Sequence, residues 1–200
     1  MMKEIILTED EQDVLQELMN VAYGNATAVV AEMLDAFASL SIPNIKVMRT
    51  GELLQQFHSL KGDSYFFSTQ AFVGEFSGES AFFIDEKSAK NLATHLELET
   101  EEDLNDAILE LTNVLTSSLT TRLAQDMSTE VRFSLPNISK IPLNEIVDTQ
   151  TFQQYDQVIV IDTQLNFEDQ HVNGEIFILT KDGSIEWLKN QLNNILEAMM

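Results

Sequence analysis

The sequence has no cysteine, which excludes disulfides, thiolate metal ligands and a cysteine nucleophile. Basic residues are scarce: eleven Lys and Arg stand against 33 Asp and Glu, a net charge of -22 with no basic cluster. Nucleic acid and anionic membranes are poor partners for such a surface. Neither a Lys/Arg clamp nor a Gly-rich phosphate loop is present, so a small free phosphate ester is disfavoured as well. No run approaches 18 apolar residues, and no basic start leads into an apolar stretch with a small-residue cleavage site. These absences lead us to expect a soluble, cytoplasmic protein. His58, His95 and His171 are scattered without pair spacing, so no metal site is expected.

What is present is a core-forming composition, 44% hydrophobic over 200 residues, enough for one domain or two small, intimately packed halves. The chain also repeats itself. Glu17-Leu-Met-Asn-Val21 recurs as Glu110-Leu-Thr-Asn-Val114, 93 positions on. At the same offset Asp13 matches Asp106, and Pro43-Asn44-Ile45 matches Pro136-Asn137-Ile138. Thr69-Gln70 matches Thr163-Gln164 at an offset of 94, and Gly78-Glu79 matches Gly174-Glu175 at 96. We therefore expect one domain over 1–200 made of two repeats, 1–99 and 100–200.

Each half opens on a helical pattern. The first spans Glu9 to Ala38, with Thr8 and Glu11 spaced as a capping box and Val14, Leu15, Leu18, Ala22, Ala26, Val29, Val30, Met33 and Leu34 on the apolar side. Gly24 interrupts it, as a weak point or a place of close helix contact. The second spans Glu102 to Asp126, with Ile108, Leu111, Leu115, Leu119 and Leu123 apolar. Strand patterns follow at Tyr65–Val73, Glu79–Ile84, Val158–Phe167 and His171–Leu179. Helices at Glu86–Leu98 and Ser184–Ala198 close the halves, the latter with Trp187, Leu188 and Leu192 inward. The order implies an internally duplicated, pseudo-two-fold α+β fold with long helices on a largely antiparallel sheet.

Asp13, Glu17 and Asn20 lie at i, i+4 and i+7, on one face of the first helix; Asp106, Glu110 and Asn113 do the same on the second. Each Asn precedes a proline by 23 positions, Pro43 and Pro136. At background usage, four fixed positions match by chance roughly once in 10^5 starts, so two matches in 200 residues are not accidental. Acidic residues early in a helix also favour its dipole, and an exposed polar face needs no function. Yet neighbouring positions expected to be exposed have diverged: Gln12 against Asn105, Gln16 against Leu109, Met19 against Thr112. Asn, which costs about half a kcal/mol in a helix interior relative to Ala, has stayed. That contrast favours a functional role for Glu17, Asn20, Glu110 and Asn113, with Asp13 and Asp106 as supports and Pro43 and Pro136 leading into strands.

At these residues the sequence resembles the CheC/CheX/FliY family of chemotaxis phosphatases. The family's pattern is Asp or Ser, three residues, Glu, two residues, Asn, twenty-two residues, Pro, and both copies fulfil it without a gap. Gly24-Asn-Ala-Thr-Ala28 also looks like the family's continuation, whereas the second copy, Leu115-Thr-Ser-Ser-Leu-Thr-Thr121, lacks that glycine. We therefore expect the first site to carry more of the activity. The resemblance covers the whole chain and implies the two-site CheC branch. It implies a phosphatase acting on the aspartyl phosphate of a CheY-like response-regulator receiver. Asn20 and Asn113 would position water, and Glu17 and Glu110 would hold the receiver's active-site Lys. No cofactor of the chain's own is implied, Mg²⁺ being held by the receiver. A CheD-like, receptor-modifying deamidase is implied as a further partner. Because relatives include flagellar-switch components, a non-catalytic binding module is the alternative.

Overall fold

The computed structural model describes residues 5–35, 38–41, 44–57, 64–142, 145, 157–167, 169–180 and 182–199. Helix α1 (Glu9–Met33) starts at the expected capping box: Thr8 Oγ1 accepts from the Glu11 N–H, and Glu11 Oε2 accepts from the Thr8 N–H at 2.7 Å. It stops short of Ala38, because Asp35 adopts φ 44°, a left-handed conformation that ends the helical path. The short strands β1 (Ser39–Leu40) and β2 (Asn44–Arg49) and helix α2 (Thr50–Phe57) follow. Then come β3 (Ser64–Gly74), β4 (Gly78–Asp85) and α3 (Glu86–His95).

The second half repeats the order with α4 (Glu101–Asp126), β5 (Val131–Phe133), β6 (Asn137–Pro142), β7 (Gln157–Phe167), β8 (Val172–Thr180) and α5 (Asp182–Met199). The long hydrophobic strands and all four longer helices were legible from periodicity. The four short strands and α2 were not, since runs of two to eight residues carry too few periods to stand out.

All strands join one antiparallel sheet in the order β1-β7-β8-β4-β3-β5, with β2 also on β7 and β6 also on β3. The halves meet at β4 and β8, where Ala81 pairs with Phe177, Gly78 with Thr180 and Ile84 with Gly174. Exchanging residues 96 apart maps this ladder onto itself, so a pseudo-two-fold axis passes through the Ala81–Phe177 pair. Gly78 and Gly174 occupy equivalent positions, and a Cβ on either would collide: with Leu179 O at Gly78, with the Phe82 ring at Gly174. Equally telling, β1 and β2 of the first half pair with β7 of the second, while β5 and β6 pair with β3 of the first. Each half is thus completed by strands from the other.

The sheet register corrects one sequence match. Asn44 pairs with Asp162 and Asn137 with Thr69, so Thr69 corresponds to Asp162 at the constant offset of 93. Gln70 therefore corresponds to Thr163, and the Thr-Gln identity at 94 is a slip of one residue.

Alternation along β3 and β4 sends Phe66, Phe72, Phe82 and Ile84 into the larger core. There they meet Leu15, Met19 and Ala26 of α1 and Ile108, Leu111, Leu115 and Leu119 of α4. The opposite face carries Tyr65, Phe67, Phe83 and Phe177, covered in part by Leu53 of α2. Phe67 and Phe83 stack at 4.8 Å, with Phe177 edge-on to Phe83. Burial on both faces accounts for the near-continuous apolar strand sequences. On α1 the structure departs from expectation at Val29, which is exposed, and at Gly24, where an added Cβ would meet nothing within 4 Å. Gly24 is not a point of close helix contact. Among the described residues, no helix is long and apolar enough to cross a membrane.

Candidate functional site

The apolar stripe of α1 faces the sheet through Leu15, Met19, Ala22 and Ala26, all fully buried. Helical geometry then turns Asp13, Glu17 and Asn20 outward, and all three are exposed. On α4 the buried residues are Ile108, Leu111, Thr112, Leu115 and Leu119, and Asp106, Glu110 and Asn113 are exposed in the same way. Met19 and Thr112, placed among exposed positions by the sequence reading, are both buried, which shows that the apolar stripe is wider than the leucines alone imply. The Thr112 hydroxyl is satisfied inside the core by donating to Ile108 O at 2.8 Å. Pro136 is half-buried immediately before β6, in the connecting role expected of it. Pro43 lies outside the described residues.

The two helices pack side by side, and Asn25, Val29, Ser117, Ser118, Thr121, Arg122 and Gln125 line an open groove of about 360 Å³ between them. Asn25 and Ser118, like Val29 and Arg122, are 93 apart, so the groove lies on the pseudo-two-fold axis. Asn20 sits five residues N-terminal to Asn25 and Asn113 four N-terminal to Ser117, roughly 6 to 7.5 Å from the groove along their own helices. The two motifs thus form separate exposed sets, each carried on a single helix.

Within each site the carboxylates are unengaged: among the described residues Asp13, Glu17, Asp106 and Glu110 have neither an ion pair nor a hydrogen bond. They are acceptors without a cation of their own. The two asparagines differ. Asn20 Oδ1 accepts from Gln16 Nε2 at 3.3 Å, an exposed contact within the helix. Asn113 Oδ1 accepts from Gln70 Nε2 at 2.8 Å, and Gln70 is a buried residue of β3. The same Nε2 donates to Ser134 O at 2.9 Å. Ser134 in turn is clamped to β3, its N–H donating to Ala71 O at 3.0 Å and its Oγ accepting from the Ala71 N–H at 3.1 Å. The first half repeats that clamp between Ser41 and Gln164. Sequence reading missed Gln70, Ser41 and Ser134. The serines had a signal, since Ser41 and Ser134 stand two residues before the matched prolines. Gln70 had none, because its identity with Gln164 pointed to the wrong partner.

No group of three or more His, Asp or Glu able to hold a metal occurs among the described residues. What the surface offers is hydrogen-bonding amides beside free carboxylates on a rigid helical scaffold. Such a site can orient a small polar molecule and grip a cation presented by a partner.

No family model matches the chain. A search of curated proteins finds the CheY-P phosphatase CheC of Bacillus subtilis, 22% identical over 91% of this chain and 93% of that protein. Among solved structures, Thermotoga maritima FliY superposes with a TM-score of 0.74 at 15% identity, covering 95% of this chain and 99% of the other. A chain of the FliM-SpeE complex from H. pylori gives 0.65 at 14% identity, covering 94% and 97%. These superpositions establish the fold as that of FliY and its relatives.

Proposed function

We propose that this chain, a CheC homologue in the CheC/CheX/FliY family, is a cytoplasmic phosphatase that hydrolyses the aspartyl phosphate of a CheY-like response-regulator receiver. In this reading residues 1–200 act as one domain of two repeats, 1–99 and 100–200, each with a site. The observation that carries the proposal is the pair of equivalent Glu/Asn sets exposed on α1 and α4. A receiver is itself a folded domain, and only side chains projecting outward from a rigid element can reach into its phosphorylation site.

The chemistry follows from the residue types. A water oxygen attacks phosphorus in line, the bond from phosphorus to the receiver's aspartyl oxygen breaks, and the aspartate leaves as carboxylate. The water protons pass to the departing phosphate and to solvent. An asparagine amide has no useful proton affinity, so Asn20 and Asn113 contribute by accepting one hydrogen bond from the water and fixing its direction. Glu17 and Glu110, having no cation among the described residues, receive the receiver's active-site Lys in a charge-assisted hydrogen bond. The Mg²⁺ belongs to the receiver and comes with the substrate. Docking thereby places water, amide and phosphorus together, an advantage of proximity rather than of acid-base chemistry.

A second reading keeps the surface and drops the chemistry: the fold occurs in FliM crystallised with SpeE, so it also serves in protein assemblies. Incubating the protein with a phosphorylated CheY-like receiver and following phosphate release separates the two. Faster release than the receiver shows alone supports the phosphatase. Stable binding with unchanged release supports the assembly role.

A further inference from the structure

We infer that Gln70 is a positioning residue for the second site, fixing the side-chain amide of Asn113; the inference rests on the phosphatase reading above. Gln70 is 1% exposed and lies on β3, in the alternating set with Phe66, Ser68 and Phe72 that faces the helices. Its Nε2 has two partners, Ser134 O and Asn113 Oδ1. A backbone carbonyl only accepts, so Ser134 fixes the Gln70 amide with its nitrogen toward the loop. The second N–H of that nitrogen then requires an acceptor, and Asn113 meets it with its oxygen. Asn113 is thereby held in one of its two amide orientations. One lone pair of Oδ1 is engaged and the other remains for a water proton.

Gln70 keeps this arrangement at a cost to itself. Its own Oε1 is buried without a hydrogen-bond partner among the described residues, a state that buried amides rarely adopt. The first site lacks this glutamine. Register places Thr163 where Gln70 would be, and among the described residues Asn20 is met only by half-buried Gln16, whose counterpart on α4 is Leu109. The amide of Asn113 is thus set before substrate arrives, whereas Asn20 has a longer, 3.3 Å contact from within its own helix. A polar group oriented in advance costs no reorganisation at the transition state. The second site is then the faster one, the reverse of the expectation drawn from the first copy's longer match to the family pattern.

Two measurements test this. In the first, phosphate release is followed with a phosphorylated receiver in an Asn20→Ala background, where only the second site works. Gln70→Met, close in length but without N–H groups, lowers kcat by about 5- to 50-fold and leaves KM within about 2-fold. Added to Asn113→Ala, the same change costs less than about 2-fold further, the non-additivity expected when one residue acts through the other. An unchanged kcat in the Asn20→Ala background overturns the inference, as does an equal loss in both backgrounds, which marks a general structural defect. The second measurement needs neither activity nor a variant. NMR relaxation of side-chain amides in the unaltered protein gives Asn113 a higher order parameter than Asn20, and Gln70 slow amide exchange. Equal mobility of Asn20 and Asn113 overturns the inference. Absence of phosphatase activity with Asn113 still ordered overturns the functional reading and leaves the Gln70–Asn113 lock standing.

Discussion

Glu17 and Glu110 are exposed carboxylates in a protein of net charge -22, and neither has a cation of its own among the described residues. Such a group gains most from a partner that brings the cation, which is the role proposed for the receiver's Lys. Replacing both by Ala removes one charge-assisted hydrogen bond per docked receiver, about 1.5 to 3 kcal/mol, so KM should rise roughly 10- to 100-fold with a smaller change in kcat. Titrating receiver against the variant and fitting both constants checks this, and an effect confined to kcat would contradict it. At this scale sequence reading worked where identity survived in both copies, as with Glu17/Glu110 and Asn20/Asn113. It failed for Gln70, because the partner of Asn113 comes from a strand 43 residues away and the matching position in the other half is a threonine.

At the scale of the element, α1 is fastened as well as folded. Glu11 closes the capping box and also receives Lys189 Nζ at 3.3 Å and Asn193 Nδ2 at 2.9 Å from α5, so the first and last helices are tied at one carboxylate. Burial alone would push its pKa up. The Thr8 N–H, Asn193 and Lys189 together outweigh that and hold it below the ordinary glutamate value. The sign follows: a carboxyl whose folded pKa is depressed stabilises the fold above its unfolded pKa, and loses that contribution as pH falls through the folded one. Glu11→Gln should therefore lower Tm at pH 7 and narrow its gap from the unaltered protein as pH drops below about 4. Glu11→Ala, which also removes the cap, should cost about 1 to 3 kcal/mol by urea unfolding at pH 7. A Glu11→Gln gap in Tm independent of pH would contradict the account. The capping box was legible in Thr8 and Glu11; the link to α5 was not, since nothing in a sequence tells which helix lies beside a cap.

Over the whole molecule, the duplication was legible, but the way its copies interlock was not. Local patterning reveals strands and helices; which edge a strand of two to six residues joins is decided by the tertiary fold. Here β1 and β2 complete the other half's β7, and β5 and β6 complete the other half's β3. A half expressed alone, 1–99 or 100–200, keeps the pairing between its two long strands but loses the neighbours on their outer sides and the other half's long helix, which exposes Phe66, Phe72 and Phe82 or Ile161, Ile176 and Ile178. Neither should show a cooperative thermal transition by circular dichroism. A half that melts cooperatively as a monomer would mean that the exchanged strands are dispensable.

The claim that matters most is that the exposed asparagines direct water onto a receiver's phosphoryl group. It is tested most directly by comparing the unaltered protein with the Asn20→Ala, Asn113→Ala double variant, in phosphate release and in binding of the phosphorylated receiver. The account predicts unchanged folding and binding, with release slowed by about 10- to 10^3-fold, the scale of losing one oriented polar group in a transition state. The Asn20→Asp, Asn113→Asp pair should fail to restore the rate, because it sets a carboxylate against an already negative phosphoryl group. Full activity in either double variant would contradict the water-positioning role.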